Sequence, residues 1–237
     1  MSAPLRKENS TLWYALAATV ESKTLNLWKQ QLGTLPATLW DNTGLETLIL
    51  ADNGLADLPE GIGALTNLRT LDLGHNRLVE LPESLGQLSG LTDYLYLHDN
   101  KLTTLRESLF TRLIRLRYLN VSDNQLTRLP ESLGRLWSLE ELRADGNHLE
   151  TLPESFGGLE RLHELHLRDN QLRELPAPLC GLPRLAYLDL RGNPLTTLPY
   201  WIVEWPNLQK LDLRWVKLAS VPAAVGALED RGCRVLL

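Results

Sequence analysis

The chain has 237 residues, of which 43% are hydrophobic, and it carries a formal net charge of −5. An acidic chain argues against binding to a nucleic-acid backbone, because proteins that bind there are basic. The sequence contains no run of about eighteen apolar residues, so it predicts no membrane-spanning helix. The two cysteines, Cys180 and Cys233, do not form the clusters of a disulfide-rich protein, which favours a reducing compartment.

The N-terminal segment, residues 1–21, predicts a helix that caps the rest of the chain. Leu12, Leu16 and Val20 fall on one face at helical spacing, and hydroxyl residues precede them as candidate helix caps. An alternative interpretation is a signal peptide, because Arg6 precedes a short apolar run. That run contains bulky aromatic residues, so we favour the capping helix.

A 23-residue repeat fills most of the chain after residue 21. Residues 116–138 read L-x-x-L-x-V-x-x-N-x-L-x-x-L-P-x-x-L-x-x-L-x-x. The same pattern recurs over residues 45–67, 68–90, 139–161, 162–184 and 185–207. With irregular units at 22–44, 91–115 and 208–228, the array comprises about nine units over residues 22–228. A repeat of this length and leucine spacing resembles the leucine-rich repeat proteins.

The resemblance implies an α/β fold. It would be a right-handed solenoid with a curved parallel β-sheet on its concave face and short helical or 3₁₀ turns on its convex face. Without cysteine caps, the chain is similar to the cytosolic leucine-rich repeat proteins of bacteria and the Ras-group-related ones of plants. We therefore expect a cytoplasmic location and one continuous domain, in which residues 1–21 and 229–237 cap the two ends of the array.

Asparagine recurs at position 9 of the repeat in seven consecutive units. The column comprises Asn53, Asn76, Asn100, Asn124, Asn147, Asn170 and Asn193. A buried amide must have its hydrogen bonds made. We therefore predict that each side chain bonds backbone groups of its own coil and toward the next coil. The column is interpreted as structural, with no role in binding.

Proline follows the fifth leucine in most units and predicts the bend into the convex side, because it fixes φ and donates no hydrogen bond. The column comprises Pro36, Pro59, Pro82, Pro130, Pro153, Pro176, Pro199 and Pro222, with Arg106 in the fourth unit. The P-E-S segments that follow predict one short helical or 3₁₀ turn per coil, and their glutamates are interpreted as a solvated face. The fourth unit has one extra residue between Leu91 and Leu95 and another between Leu109 and Leu113, which predicts longer loops.

No arrangement of residues in the sequence indicates catalysis or metal binding. His163 and His166 have the wrong spacing for the helical zinc motif, and their segment is predicted to be a strand. Neither a glycine-rich phosphate loop nor a G-x-S-x-G motif occurs, and no histidine is placed to activate Cys180 or Cys233. We expect no catalytic residue, no metal and no cofactor. The alternative of a different class is an enzyme with an unrecognised site.

Positions 3, 5 and 7 of each unit are predicted to face the concave surface, because side chains alternate along a strand, and position 8 joins them. Tyrosine and arginine, which are enriched in binding hot spots, concentrate there from the fourth unit onward. The candidate partner-binding residues are Tyr94, Tyr96, His98, Tyr118, Arg143, His166, Arg168, Tyr187, Arg191, Arg214 and Trp215. An alternative for the arginines is a ladder of exposed ion pairs with Asp169, Asp189 and Asp212, each of little energetic weight.

These features favour a non-catalytic protein–protein interaction module that binds a protein partner on its concave face. It is expected to act as a monomer, with no nucleic acid or membrane as partner. Binding by a preformed face would involve little backbone change. The resemblance also admits a bacterial effector or virulence factor that acts on host proteins, in which case the chain would be secreted.

Overall fold

The computed structural model describes residues 23–237 of the chain. The capping helix predicted over residues 1–21 lies outside the described residues. Within them, strands and short helices alternate along the whole length of the chain.

Ten three-residue strands, β1 to β10, form one sheet in the described part of the chain, and each pairs in parallel with the next in sequence. The strands are Thr24–Asn26, Thr47–Ile49, Thr70–Asp72, Tyr94–Tyr96, Tyr118–Asn120, Glu141–Arg143, Glu164–His166, Tyr187–Asp189, Lys210–Asp212 and Arg234–Leu236. In β1 to β9 the central residue is the leucine at position 4, which is buried, while positions 3 and 5 point to the other side. The parallel sheet predicted from the repeat is confirmed.

A 3₁₀ helix follows each of the first eight strands. These helices, η1 to η8, span Ala37–Asp41, Glu60–Ala64, Glu83–Gln87, Glu107–Phe110, Glu131–Arg135, Glu154–Gly158, Ala177–Gly181 and Tyr200–Glu204. Seven of them start after a proline in an extended conformation, and Arg106 adopts the same conformation before η4, with φ −73° and ψ 147°. The short turns predicted after the prolines are confirmed. After β9 the turn is an α-helix, Ala223–Asp230, which leads to β10.

The core lies between the sheet and the 3₁₀ helices and is continuous along the array. Leucines dominate it, and the large fully buried side chains include Phe110, Phe156 and Trp205. The indole N–H of Trp205 donates to the carbonyl oxygen of Leu179 at 2.7 Å, so its one polar atom is paired. Each added coil therefore lengthens the same core, which is how a solenoid gains stability.

The asparagines of position 9 join each coil to the one before it. The side-chain amide of Asn76 donates to the carbonyl oxygens of Leu73 in its own coil (2.9 Å) and Leu50 in the preceding coil (3.1 Å). Its Oδ1 accepts from the backbone N–H of Leu55, also in the preceding coil, at 3.0 Å. The structural role is confirmed, but the predicted direction is wrong, because the amides reach toward the preceding coil.

Position 8 has a left-handed backbone in all nine units that have this position. The residues with positive φ there are Lys29, Asp52, His75, Asp99, Asp123, Gly146, Asp169, Gly192 and Trp215, with φ between 50° and 70°. Glycine, aspartate and asparagine tolerate this conformation, whereas bulky side chains rarely adopt it. The conformation brings the chain out of each strand and into the asparagine-bonded turn.

Of the two extra residues in the fourth unit, the one between Leu91 and Leu95 is absorbed before β4. At β4–β5 two consecutive carbonyl oxygens accept from the next coil, Thr92 from Arg117 and Asp93 from Tyr118, both at 3.1 Å. At β5–β6 a single carbonyl, that of Arg117, accepts both equivalent bonds. The strand register is therefore unchanged, and the additional residue places Asp93 beside the sheet.

Several glutamates that begin 3₁₀ helices hold the next coil in place. Glu107 accepts hydrogen bonds from the backbone N–H groups of Glu131 (2.9 Å) and Ser132 (2.7 Å), at the start of η5. Burial alone would raise the pKa of Glu107, but these bonds lower it below its ordinary value of 4.5. Glu60 and Glu131 make the same contacts to the coils that follow them. These glutamates are exposed, and they also bond the coil that follows, a role that the sequence did not predict.

Candidate functional site

The open face of the sheet, meaning the side away from the leucine core, carries the side chains of positions 3 and 5 in regular columns. The parallel register pairs position 3 with position 3 on neighbouring strands, so that Tyr94 lies between Thr70 and Tyr118. Neighbouring strands are about 4.8 Å apart, so side chains in one column are in contact range. All the candidate residues predicted at positions 3 and 5 lie on this face.

Tyr94, Tyr96 and Tyr118 pack into one group, the tyrosine cluster. The rings of Tyr94 and Tyr96 stack at 5.8 Å with an interplanar angle of 10°, and the ring of Tyr118 lies 5.5 Å from Tyr94 and 5.0 Å from Tyr96. Tyr94 is 46% exposed, while the other two are half-buried. Burial raises the pKa of Tyr96, and that of Tyr118 to about 12, so both hydroxyls are protonated at neutral pH.

His98 extends the tyrosine cluster along β4. Its ring lies 6.0 Å from that of Tyr96 and covers Gly74, where an added Cβ would meet the imidazole at 2.4 Å. Its Nε2 is 3.2 Å from Nε2 of His75, whose Nδ1 is 2.6 Å from Oδ2 of Asp99. Burial lowers the pKa of His98, and the neighbouring His75 lowers it further. The glycine at position 7 thus leaves the space that this ring occupies.

A shallow cavity of about 290 Å³ borders the tyrosine cluster at the N-terminal ends of the strands. It is lined by Arg69, Asp93, Tyr94, Arg117, Tyr118, Glu140 and Glu141. Two ion pairs form its rim, Arg69 with Asp93 at 3.3 Å and Arg117 with Glu140 at 2.9 Å. These two ion pairs were not predicted from the sequence, although the extra residue before β4 was a signal for the position of Asp93.

Each member of the arginine column, which comprises Arg143, Arg168, Arg191 and Arg214, lies beside a carboxylate. Arg191 contacts Asp189 at 2.5 Å and Arg214 contacts Asp212 at 2.8 Å. Burial disfavours the charged form of Asp212, yet hydrogen bonds from Arg214 and the charge of Arg191 hold its pKa below the ordinary value.

The other two arginines of the column are paired with residues on their own strand or turn. Arg143 contacts Glu141 at 2.5 Å, and Nε of Arg168 lies 3.3 Å from Asp169. The geometry therefore favours the ion-pair ladder over four free cations. The sequence had named three of the acidic residues in this ladder, and it had not named Glu141.

The remaining candidates lie in two different environments. His166 is only 8% exposed, with its ring 4.9 Å from that of Tyr187, and its Nε2 lies 3.1 Å from Glu164. Burial, followed by the charge of Asp189, raises the pKa of Tyr187 to about 12. Trp215 is instead 68% exposed, and its ring lies about 6 Å from the guanidinium groups of Arg191 and Arg214.

The two cysteines lie in different surroundings, and one of the histidines that the sequence set aside lies among potential metal ligands. Cys180 is exposed, whereas Cys233 is buried and its burial raises the pKa of the thiol. One group of potential metal ligands occurs among the described residues, formed by Glu141, Glu164 and His166. In the part of the chain that the structure describes, no helix is long and apolar enough to cross a membrane.

Comparison with known proteins identifies the repeat. Models of leucine-rich repeats match residues 92–149 and 151–195, and a model of two such repeats matches residues 43–89. These segments together cover more than half of the chain. No curated protein matches the sequence of this chain.

Solved structures share the fold. The chain is similar to a leucine-rich repeat protein of Leptospira interrogans, with 30% identity and a TM-score of 0.68 over 93% of this chain and 68% of that one. It is also similar to the leucine-rich repeat domain of the type III effector XopL, with 27% identity and a TM-score of 0.71 over 100% and 97% of the two chains.

A plant receptor provides a third similar structure. The ectodomain of the membrane receptor kinase GASSHO1/SCHENGEN3 from Arabidopsis thaliana, solved in complex with CASPARIAN STRIP INTEGRITY FACTOR 2, is 33% identical with a TM-score of 0.73. The match covers 81% of this chain but only 24% of the receptor chain. The present chain belongs to the leucine-rich repeat family, whose members typically serve as non-catalytic protein-interaction scaffolds.

Proposed function

We propose that this chain is a non-catalytic interaction module that binds a protein partner on the open face, with the tyrosine cluster at the centre of the contact. The carrying observation is the packing of three tyrosine rings within 5.8 Å of one another, with Tyr94 well exposed. Rings held in this way present a large contact area whose side-chain entropy is already lost. A partner that covers these rings buries apolar surface, and little further side-chain entropy is lost on binding.

The arginine column contributes mainly to the rim of the proposed contact. Arg191 and Arg214 already bond buried aspartates, so their charges are offset before any partner arrives. Trp215 differs, because a bulky exposed side chain occupies a left-handed position where six of the other eight units have aspartate or glycine. Backbone strain of this kind clusters at functional sites, which supports Trp215 as a second anchor.

The comparisons support a protein partner. The plant receptor ectodomain was solved in complex with a named factor, and repeat arrays of this kind use their extended concave surface for binding. A second candidate function is that of a bacterial effector acting on host proteins. It is favoured by the near-complete mutual coverage with the XopL domain. Delivery of a reporter fused to this chain through a type III secretion system would support that candidate, and retention in the producing cell would oppose it.

The central proposal is tested by capture of partners from a lysate, read by mass spectrometry. The baits are the wild type and a variant that combines Tyr94→Ala, Tyr96→Ala and Tyr118→Ala. Trp137→Ala serves as the matched control, because Trp137 is an exposed aromatic residue outside the sheet. We expect a protein that the wild type and the control enrich and that the triple variant loses by at least about tenfold, since hot-spot truncations cost about 2 kcal/mol or more.

Thermal melts first establish that all three baits are folded. A partner retained by the folded triple variant would exclude the tyrosine cluster as the binding centre and direct attention to Trp215. The interaction-module proposal fails if no protein is enriched by both the wild type and the control from lysates of producing cells and of host cells.

A further inference from the structure

Glu141, Glu164 and His166 bring three donor atoms together on the open face. The Nε2 atom of His166 lies 3.1 Å from Oε2 of Glu164 and 3.7 Å from Oε1 of Glu141, and all three donors lie within 4.8 Å of one another. We propose that these residues bind a divalent transition-metal ion. This inference goes beyond the proposed partner binding and differs from the sequence-based expectation of no metal.

The spacing of the donors suits such an ion. Zinc binds histidine nitrogen and carboxylate oxygen at about 2.0–2.2 Å, which separates two ligand atoms of a tetrahedron by roughly 3.3–3.5 Å. The two measured separations, 3.1 Å and 3.7 Å, lie on either side of this range. Shifts of a few tenths of an ångström in the glutamate side chains would complete the geometry.

The histidine is already held in place. His166 is nine-tenths buried, and the ring of Tyr187 packs against it at 4.9 Å with an interplanar angle of 66°. Its Nε2 is directed at the two carboxylates, which are more exposed than the imidazole. The ion would therefore bind to a preorganised nitrogen on one side and to water on the open side.

The two neighbouring carboxylates also favour a bound cation. Glu141 and Glu164 occupy directly paired positions on β6 and β7, and like charges in such positions destabilise a sheet. Among the described residues, Glu164 contacts no arginine or lysine, so only His166 lies close enough to offset its charge. A divalent ion would offset both carboxylates at once. The imidazole ligand favours a transition metal over Mg²⁺, which prefers oxygen ligands.

Arg143 competes for the same site. Its Nε contacts Oε1 of Glu141 at 2.5 Å, and that oxygen is the one that faces His166. The ion must displace this contact or share the oxygen. Replacing Arg143 with an uncharged side chain of similar length should therefore strengthen metal binding. If the cluster has only a structural role, the same replacement should weaken the cluster and should not strengthen metal binding.

The experiment is calorimetric titration of the full chain with ZnCl₂, and with MgCl₂ for comparison. All proteins carry Cys180→Ser, which removes an exposed thiol that can bind zinc. Glu141→Gln and Glu164→Gln keep the side-chain shape but remove the charge. We expect each to weaken Zn²⁺ binding by at least about tenfold and Arg143→Met to strengthen it severalfold, with no measurable Mg²⁺ binding.

His98→Gln is the matched control, because it removes the other close histidine pair on this face and leaves the proposed site intact. Its Zn²⁺ affinity should equal that of the wild type, and thermal melts should show a zinc-dependent rise in Tm that Glu164→Gln abolishes. The proposal is overturned if His98→Gln abolishes binding or if Glu164→Gln binds as the wild type does. It is also overturned if the wild type shows no binding up to about 1 mM Zn²⁺.

Discussion

Each asparagine of the column makes hydrogen bonds to backbone groups in two coils. A single asparagine side chain therefore has a large effect on the free energy of unfolding. Asn124 donates to Leu97 and Val121, both at 3.0 Å, and accepts from the backbone N–H of Leu102 at 2.9 Å. All of these groups are buried. A buried group that loses its partner keeps the full cost of its desolvation.

Replacing Asn124 with alanine should therefore lower the free energy of unfolding by about 2 kcal/mol. Urea denaturation measures the change, and Gln125→Ala, at the exposed neighbouring position, provides the control. A loss for Asn124→Ala no larger than that for Gln125→Ala would mean that the amide hydrogen bonds contribute nothing net.

At the scale of elements, some of the glutamates that begin 3₁₀ helices act as caps for the next helix. Glu107 bonds two backbone N–H groups of η5, whereas the described contacts of Glu83, which also begins a 3₁₀ helix, include no such bond. The coil after Glu83 is the irregular fourth unit. The coil after Glu154 has Pro178, which has no N–H to donate. Whether a glutamate forms the cap therefore depends on the coil that follows it, which must supply the two N–H groups.

We predict that Glu107→Ala lowers the free energy of unfolding at neutral pH by about 0.5–1 kcal/mol, the lower part of the range for helix caps, because the carboxylate is exposed. The hydrogen bonds lower the pKa of Glu107, so its stabilising effect is present above its ordinary value of 4.5 and is lost as the pH falls through the lowered value. Denaturation at several pH values should show the difference between wild type and variant shrinking toward low pH. Glu83→Ala should change stability less, and an equal effect of the two substitutions would contradict the capping role.

Much of the structure at the scale of elements could be predicted from the 23-residue period, whereas individual side-chain contacts could not. Position 4 leucines predict strands β1 to β9, and prolines predict seven of the eight 3₁₀ helices, because both are set by residues within one unit. The pairing of Arg143 with Glu141 depends on the rotamers of two residues on β6, and the meeting of Glu141 with His166 depends on rotamers on two neighbouring strands. Comparing the position 3 and position 5 columns side by side would have placed these residues together, although it could not supply their distances.

At the scale of the whole molecule, each coil contacts only its neighbours, so the array behaves as a line of similar units. Residues 139–161 begin and end at equivalent points of the repeat, so their removal would join β5 to the former β7 in register. The core and the asparagine column would remain continuous.

We expect this deletion to leave a cooperatively folded protein whose urea m-value falls by about a tenth, in proportion to the surface lost. Deletion of residues 139–150, which is half a unit, is the control and should abolish cooperative unfolding because it breaks the register. If both deletions unfold alike, the stability of the array depends on more than contacts between neighbours.

Because each asparagine bonds the preceding coil, the hydrogen bonds of a coil are completed only by residues that are synthesised after it. The backbone N–H of Leu102 finds its acceptor on Asn124, which is 22 residues further along the chain. As the polypeptide leaves the ribosome, each newly formed coil therefore exposes an unpaired donor at its growing end until the next coil is made. We therefore expect the solenoid to fold from its N-terminal end, with each unit covering the one synthesised before it.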